Sequence, residues 1–299
     1  MPAARYFAHG KILISGEYAV LKGAKALALP TARGQILNVD KGQNLIRWES
    51  LDQEGQCWFE ASFDLALKTV NTTDNQRADF ISSLLQRAHH IAGLSPEPAG
   101  YRTTMEFPAN WGLGSSSSLT YLLASHFHID PFELFFATQN GSGYDIACAG
   151  TTAPLLYELQ SGKPHWREVK ISGLFRQARF VYLGHKQDSR KEVNRFRKRA
   201  ITEEQIARIS AISEALADVQ EESALIELLE RHEALMSQIL GRQTVKQLLF
   251  SDFPGAIKSL GAWGGDFVMA IGPDAENYFH GKGYREVLSF DDLFASAAR

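Results

Sequence analysis

Pro108-Ala109-Asn110-Trp111-Gly112-Leu113-Gly114-Ser115-Ser116-Ser117-Ser118 is the stretch on which the reading of this chain turns. Its glycines let backbone N–H groups turn inward, and four hydroxyls follow at the start of an apolar segment, near Leu119, that reads as a helix. The unpaired N–H groups and the dipole of a helix start favour an anion, and a serine hydroxyl can complete the shell of a magnesium ion. A flexible Gly/Ser linker has the same composition but is not bracketed by a β-type run, a proline and an apolar helix. No lysine follows the second glycine, so this is not a Walker loop, and the glycine spacing is not that of a dinucleotide fingerprint.

Upstream of the loop, Tyr101 to Phe107 alternates like a strand and Pro108 stops it. Before that, from Asp79, Phe80, Leu84, Leu85, Ala88 and Ile91 recur at helical spacing, closed by Gly93 and Pro96. The first sixty residues alternate short β-type runs with turns: 5–8, 11–14, 26–29, 35–39, 45–48 and 56–60. Downstream come a short helix over 132–138, the turn Gly141-Ser142-Gly143-Tyr144-Asp145, and strands near 154–159 and 178–183. Residues 202–249 carry Ile206, Ile209, Ile212, Leu216, Leu225, Leu228, Leu229, Leu235 and Ile239 at three-and-four spacing, the mark of amphipathic core helices. A glycine-rich turn, 261–266, precedes a strand over 267–271. Strands mixed with packed helices, without regular βαβ alternation, predict an α+β fold. Gly162 and Pro164 suggest a boundary that makes two domains, 1–161 and 162–299.

The bulk composition narrows the function classes. At 299 residues, 44% hydrophobic and 22% charged, the chain can build cores of ordinary size. No apolar stretch of signal-peptide or membrane-span length follows Met1-Pro2-Ala3-Ala4-Arg5, so a cytoplasmic location is the expectation. Cys57 and Cys148 form no C-x-x-C pair, which argues against disulfides and structural zinc. A net charge of −3 gives no global pull toward nucleic acid, and no aromatic/basic stripe is present. The expected partner is a small-molecule substrate, with neither nucleic acid nor membrane, and nothing here argues against a homodimer.

Three segments carry a family resemblance. The loop 108–116 resembles the second signature motif of the GHMP kinases (galactose, homoserine, mevalonate and phosphomevalonate kinases). Gly10-Lys11-Ile12-Leu13-Ile14-Ser15-Gly16-Glu17-Tyr18-Ala19-Val20 is similar to the first motif, and Lys258-x-x-Gly261-Ala262-x-Gly264-Gly265-Asp266 to the third. They run in family order over positions 10–266, nearly the whole chain. The resemblance implies an N-terminal domain like that of ribosomal protein S5, a ferredoxin-like C-terminal domain, and transfer of the γ-phosphate of ATP, with Mg2+, to a small molecule.

It also implies roles. Asp145 matches the catalytic aspartate of mevalonate-type members, although an Asp after a glycine turn is as often a cap or turn residue. Lys11 would be its catalytic companion. Gly112, Leu113, Gly114, Ser115, Ser116 and Ser117 would hold the phosphates, with Ser116 the magnesium ligand. Glu17, Gly261, Gly264, Gly265, Ser189 and Arg190 would face the acceptor; most of the basic run from Lys186 to Arg199 reads rather as a solvated helix face. Two departures stand out. Leu134 occupies the place, about three helical turns before Asp145, where mevalonate kinases carry a second metal-binding glutamate, with Glu133 and Gln139 nearby. Trp263 stands where glycine is common, either lining a pocket or as a core aromatic. Mevalonate or 5-phosphomevalonate is the expected acceptor. The alternatives are a sugar- or homoserine-type acceptor, or a catalytically silent ligand-binding relative.

Overall fold

The structure, a computed structural model, describes residues 4–184, 189–261, 263 and 265–294, with the side chains of 189–191 outside the description. The chain opens with strands β1 (Ala4–Ser15), β2 (Ala26–Lys41), β3 (Ile46–Leu51), β4 (Cys57–Phe63) and β5 (Thr69–Thr72). Helix α1 (Asn75–Ala92), strand β6 (Ala99–Met105) and helices α2 (Ser115–Phe127), α3 (Pro131–Thr138) and α4 (Tyr144–Ala149) follow. Next come β7 (Leu155–Gln160), β8 (Lys163–Glu168), β9 (Arg179–Tyr182), α5 (Ser189–Arg197), α6 (Glu203–Asp218), α7 (Glu222–Leu240) and α8 (Val245–Leu249). The chain closes through β10 (Ala256–Ser259), β11 (Phe267–Ile271), α9 (Ala275–Gly281), β12 (Val287–Ser289) and α10 (Phe290–Phe294). This is the α+β fold the sequence predicts.

Two compact units divide the chain, and neither is contiguous. One comprises Met1–Gly10, Arg33–Ala109 and Leu113–Gly150; the other comprises Lys11–Ala32, Asn110–Gly112 and Thr151–Arg299. The glycine loop therefore changes unit between Gly112 and Leu113.

In the first unit the strand order is β5-β4-β3-β6-β2, with β3 and β6 parallel and the other pairs antiparallel. Helix α1 is set by its ends. Asp74 accepts the Arg77 N–H as N-cap, and Gly93 turns left-handed (φ 66°) as C-cap. The capping aspartate starts the helix four residues before the Asp79 expected from apolar spacing, because polar first-turn residues leave no periodic trace. Ala78, Ile81, Leu84, Leu85 and Ala88 bury one face against Trp48, Phe63, Leu122 and Leu123. Each large apolar side chain taken from water there contributes about 1.5–3 kcal/mol.

In the second unit, Ala26–Ala28 of β2 pair with β7, and β7 pairs with β8. Ser161 (φ 51°) and Gly162 (φ 79°) form the two-residue connection, both in the positive-φ region that tight hairpins require. A second sheet runs β10-β11-β9-β12, antiparallel throughout, over a core that includes Val181, Phe250, Phe253, Ile257, Val268 and Phe279. Helix α6 begins at a capping box of Thr202 and Gln205, and α7 stops at Gly241 (φ 61°). Among the described residues no helix is long and apolar enough to cross a membrane.

Candidate active site

The four serines lie within a helix. Gly114 (φ 89°) is the N-cap of α2, and Ser115–Ser118 make its first turn, four residues ahead of the start expected near Leu119. Serine suits first-turn positions, and the left-handed cap needs glycine, so the helix starts as soon as the backbone permits. The hydroxyls then diverge. Ser117 Oγ donates to Asp145 Oδ2, and Ser118 Oγ donates to Gln35 Oε1 at 2.8 Å inside the unit. Ser115 and Ser116 remain partly open to solvent at the helix start, where the first N–H groups lack an intrahelical acceptor, while the Ser117 and Ser118 N–H groups donate to the Gly114 carbonyl.

Asp145 sits in the first turn of α4, directed by Gly143 (φ 85°) at the N-cap. Helix α4 packs on α2, where Gly150 gives the room: a Cβ there would meet Tyr121 Oη at 2.6 Å. Close packing of α4 against α2, with the Ser117–Asp145 hydrogen bond, sets the carboxylate on the serine turn. Gln139 ties the same turn from α3, its amide donating to Thr120 Oγ1 at 2.6 Å, while Thr120 Oγ1 donates to Ser116 O at 3.0 Å.

In the second unit the three motif segments meet at Gly112. Lys11 Nζ donates to the Gly112 carbonyl at 3.0 Å. Asp266, 5% exposed and itself in the positive-φ region (φ 52°), also packs there; a Cβ on Gly112 (φ 69°) would lie 2.6 Å from its Oδ2. Gly112 is therefore fixed as glycine twice, by backbone and by space. Trp111, also buried, meets Phe267 edge-on at 5.5 Å.

Beneath these turns lies a buried charge cluster. Glu17, expected to face the acceptor, is 1% exposed and pairs with Lys258, which is fully buried. The reason is tertiary: where the chain leaves the Gly16 turn, an ammonium from β10, 241 residues away in sequence, meets this carboxylate. Glu233 on α7 accepts from Ser259 Oγ (3.0 Å) and from the indole Nε1 of Trp263 (3.0 Å), and lies 3.3 Å from Lys258 Nζ. Its neighbour His232 accepts the Gly16 N–H at Nε2 (3.0 Å). Burial, then the charge of Lys258, hold the His232 pKa well below the ordinary value, so the ring is neutral. Its Nε2, 3.3 Å from Glu17 Oε2, is consequently no ion-pair partner despite the distance, because Gly16 occupies its lone pair. Burial pushes the Glu17 pKa up to about 7 against the pull of Lys258.

Compared by sequence, the chain matches no protein-family model and no curated protein. Solved structures do match along almost its whole length. Methanococcus jannaschii mevalonate kinase superposes with a TM-score of 0.69 at 16% identity, over 96% of this chain and 97% of that one. Streptococcus pneumoniae phosphomevalonate kinase, in complex with phosphomevalonate and AMPPNP, gives 0.68 at 18% identity over 95% of each. Lactococcus lactis galactokinase complexed with galactose gives 0.61 at 13%, over 93% of this chain and 88% of that one. The chain has the GHMP kinase fold.

Gly261 (φ 67°) and Gly265 belong to the turn that carries Asp266, while Gly264 lies outside the described residues. Trp263 is a buried aromatic, 2% exposed, whose backbone N–H donates to Tyr18 Oη at 3.1 Å. Ser189 and Arg190 open α5, their side chains outside the description, as is all of Lys186. Leu134 is fully buried and Glu133 points to solvent. Among the described residues no three His, Cys, Asp or Glu side chains gather as metal ligands. Sequence reasoning missed Gln35, His232 and Glu233. His232 carried one signal, since it interrupts the apolar spacing of Leu225, Leu229 and Met236 with an imidazole.

Proposed function

We propose that this chain is an ATP-dependent small-molecule kinase acting on mevalonate or 5-phosphomevalonate. The observation that carries the reading is the hydrogen bond from Ser117 to Asp145. It sets a carboxylate on the helix start whose open N–H groups and hydroxyls suit a polyphosphate. In the proposed reaction the acceptor oxygen bonds to the γ-phosphorus, the bond to the β,γ-bridging oxygen breaks, and ADP leaves with that electron pair. Asp145 orients the acceptor hydroxyl and takes its proton as the O–P bond forms. With 5-phosphomevalonate the acceptor is a phosphate oxygen, and the carboxylate serves position only. Gly112, Leu113, Gly114, Ser115 and Ser116 hold the phosphates through backbone and hydroxyl groups. Lys11, seated on the Gly112 carbonyl, offsets their charge.

Magnesium fits this site through the partly exposed Ser116 hydroxyl together with nucleotide oxygens, and there it would neutralise phosphate charge. With Leu134 buried and the Gln139 amide committed to Thr120, no second protein carboxylate is assigned to it. Glu17 shapes the Gly16 turn in this reading and does not touch the acceptor.

The test is ADP release by the purified protein with Mg-ATP and a panel of mevalonate, 5-phosphomevalonate, galactose and homoserine. Turnover with either of the first two is expected. Turnover with galactose or homoserine alone would overturn the acceptor assignment. Tight nucleotide binding with no turnover on any acceptor would favour the silent relative, a reading that the buried Leu134, at the place of the second glutamate, supports.

A further inference from the structure

We propose that the adjacent pair His232 and Glu233 on α7, an element that carries none of the three motifs, positions the first and third motif turns of its unit. Each residue takes one turn. His232 Nε2 holds the amide of Gly16, the residue that starts the first turn. Glu233 takes the third at three points: Lys258 and Ser259 where β10 ends, and the indole of Trp263 within the turn. The two halves are joined by the Lys258–Glu17 pair and by the Trp263 N–H on Tyr18 Oη.

The chemistry favours positioning over mere packing. A methylene-rich side chain at 233 would fill the space, yet this position buries a carboxylate at 3% exposure, which is costly unless every oxygen is engaged. Both oxygens are engaged, and all donors come from residues 258–263. Trp263 thereby acquires a reason to replace the usual glycine: its indole N–H is the handle by which α7 grips the turn. That grip reaches Gly112, because Asp266 at the end of the same turn occupies the space a Gly112 side chain would need. These turns matter for catalysis only if the kinase reading holds, but their dependence on α7 does not rest on that reading.

Amide hydrogen exchange of the full chain tests it. Glu233→Ala should raise exchange about tenfold or more over residues 259–267, and His232→Leu over 16–19, with α1 and β3–β6 unchanged in both. Glu233→Gln should stay near the parental protein, since its carbonyl can accept from Trp263 and its amide can donate to Ser259 Oγ. Should Glu233→Ala not fold, Trp263→Phe removes the same indole contact and should loosen 259–267 alone. Equal acceleration along the whole chain, no change in these turns, or a Gln variant as loose as the Ala variant would each overturn the proposal. Absence of turnover in the parental protein would count against the kinase reading and leave this result standing.

Discussion

Gly112 and Glu17 are the two residues at which single-atom changes have the clearest consequences. Gly112→Ala must place a methyl carbon within 2.6 Å of Asp266 Oδ2 at a φ of 69°, so it should cost about 1–3 kcal/mol in denaturant unfolding and weaken nucleotide binding. Unchanged stability and affinity would show that the loop is free to move. Glu17 titrates in the folded protein at about 7, above its ordinary value of 4.5. A raised pKa stabilises the fold fully below 4.5, and that contribution is lost as pH climbs toward about 7, on the order of 3 kcal/mol in all. In carboxyl-carbon NMR the Glu17 signal should titrate near 7 and move lower in Glu233→Gln, which removes a neighbouring negative charge. An unmoved titration would exclude coupling between the two. At this scale the motifs single out Lys11, Gly112 and Asp145, because each is a chemical type at a fixed spacing. The inward turn of Glu17 was not legible, since its partner Lys258 lies 241 residues away and depends on tertiary packing.

Helix α2 shows how an element can be read correctly in kind and wrongly in extent. Apolar periodicity begins at Leu119, but the hydroxyl residues before it already have helical backbone and are secured by side-chain bonds. Ser118→Ala should therefore cost about 1–3 kcal/mol in denaturant melts, because Gln35, buried on β2, would lose its partner. A loss below a few tenths would mean that the Ser118–Gln35 bond contributes nothing. Strand β8 is the opposite case. Gly162 and Pro164 read as punctuation, yet Lys163–Glu168 pairs along its whole length with β7. An end strand of the sheet tolerates a proline and polar side chains that a central strand would reject, so neither hydrophobicity nor alternation announced it.

At the scale of the whole molecule, the α+β class followed from the mixture of strands and amphipathic helices, and the GHMP fold followed from three motifs in order. The chain keeps that fold at 13–18% identity to the structures compared. Such drift is possible because the cores around Trp48 and Phe279 require apolar volume, whereas the turns require glycine at positive φ. The path of the chain between its two compact units was not legible, since contact density leaves no mark on local sequence. If the chain binds nucleotide as proposed, Mg-AMPPNP at about one hundred times its Kd should stabilise it by about 3 kcal/mol and raise Tm by several degrees. No shift at millimolar nucleotide would contradict binding at the loop.

The most direct measurement of the central claim compares the parental protein with Asp145→Asn, reading kcat by ADP release and ATP affinity by calorimetry. The account predicts that the variant loses turnover, while its ATP affinity stays within a few-fold of parental, because the carboxylate acts on the acceptor and the loop holds the nucleotide. Near-parental turnover in the variant would contradict it.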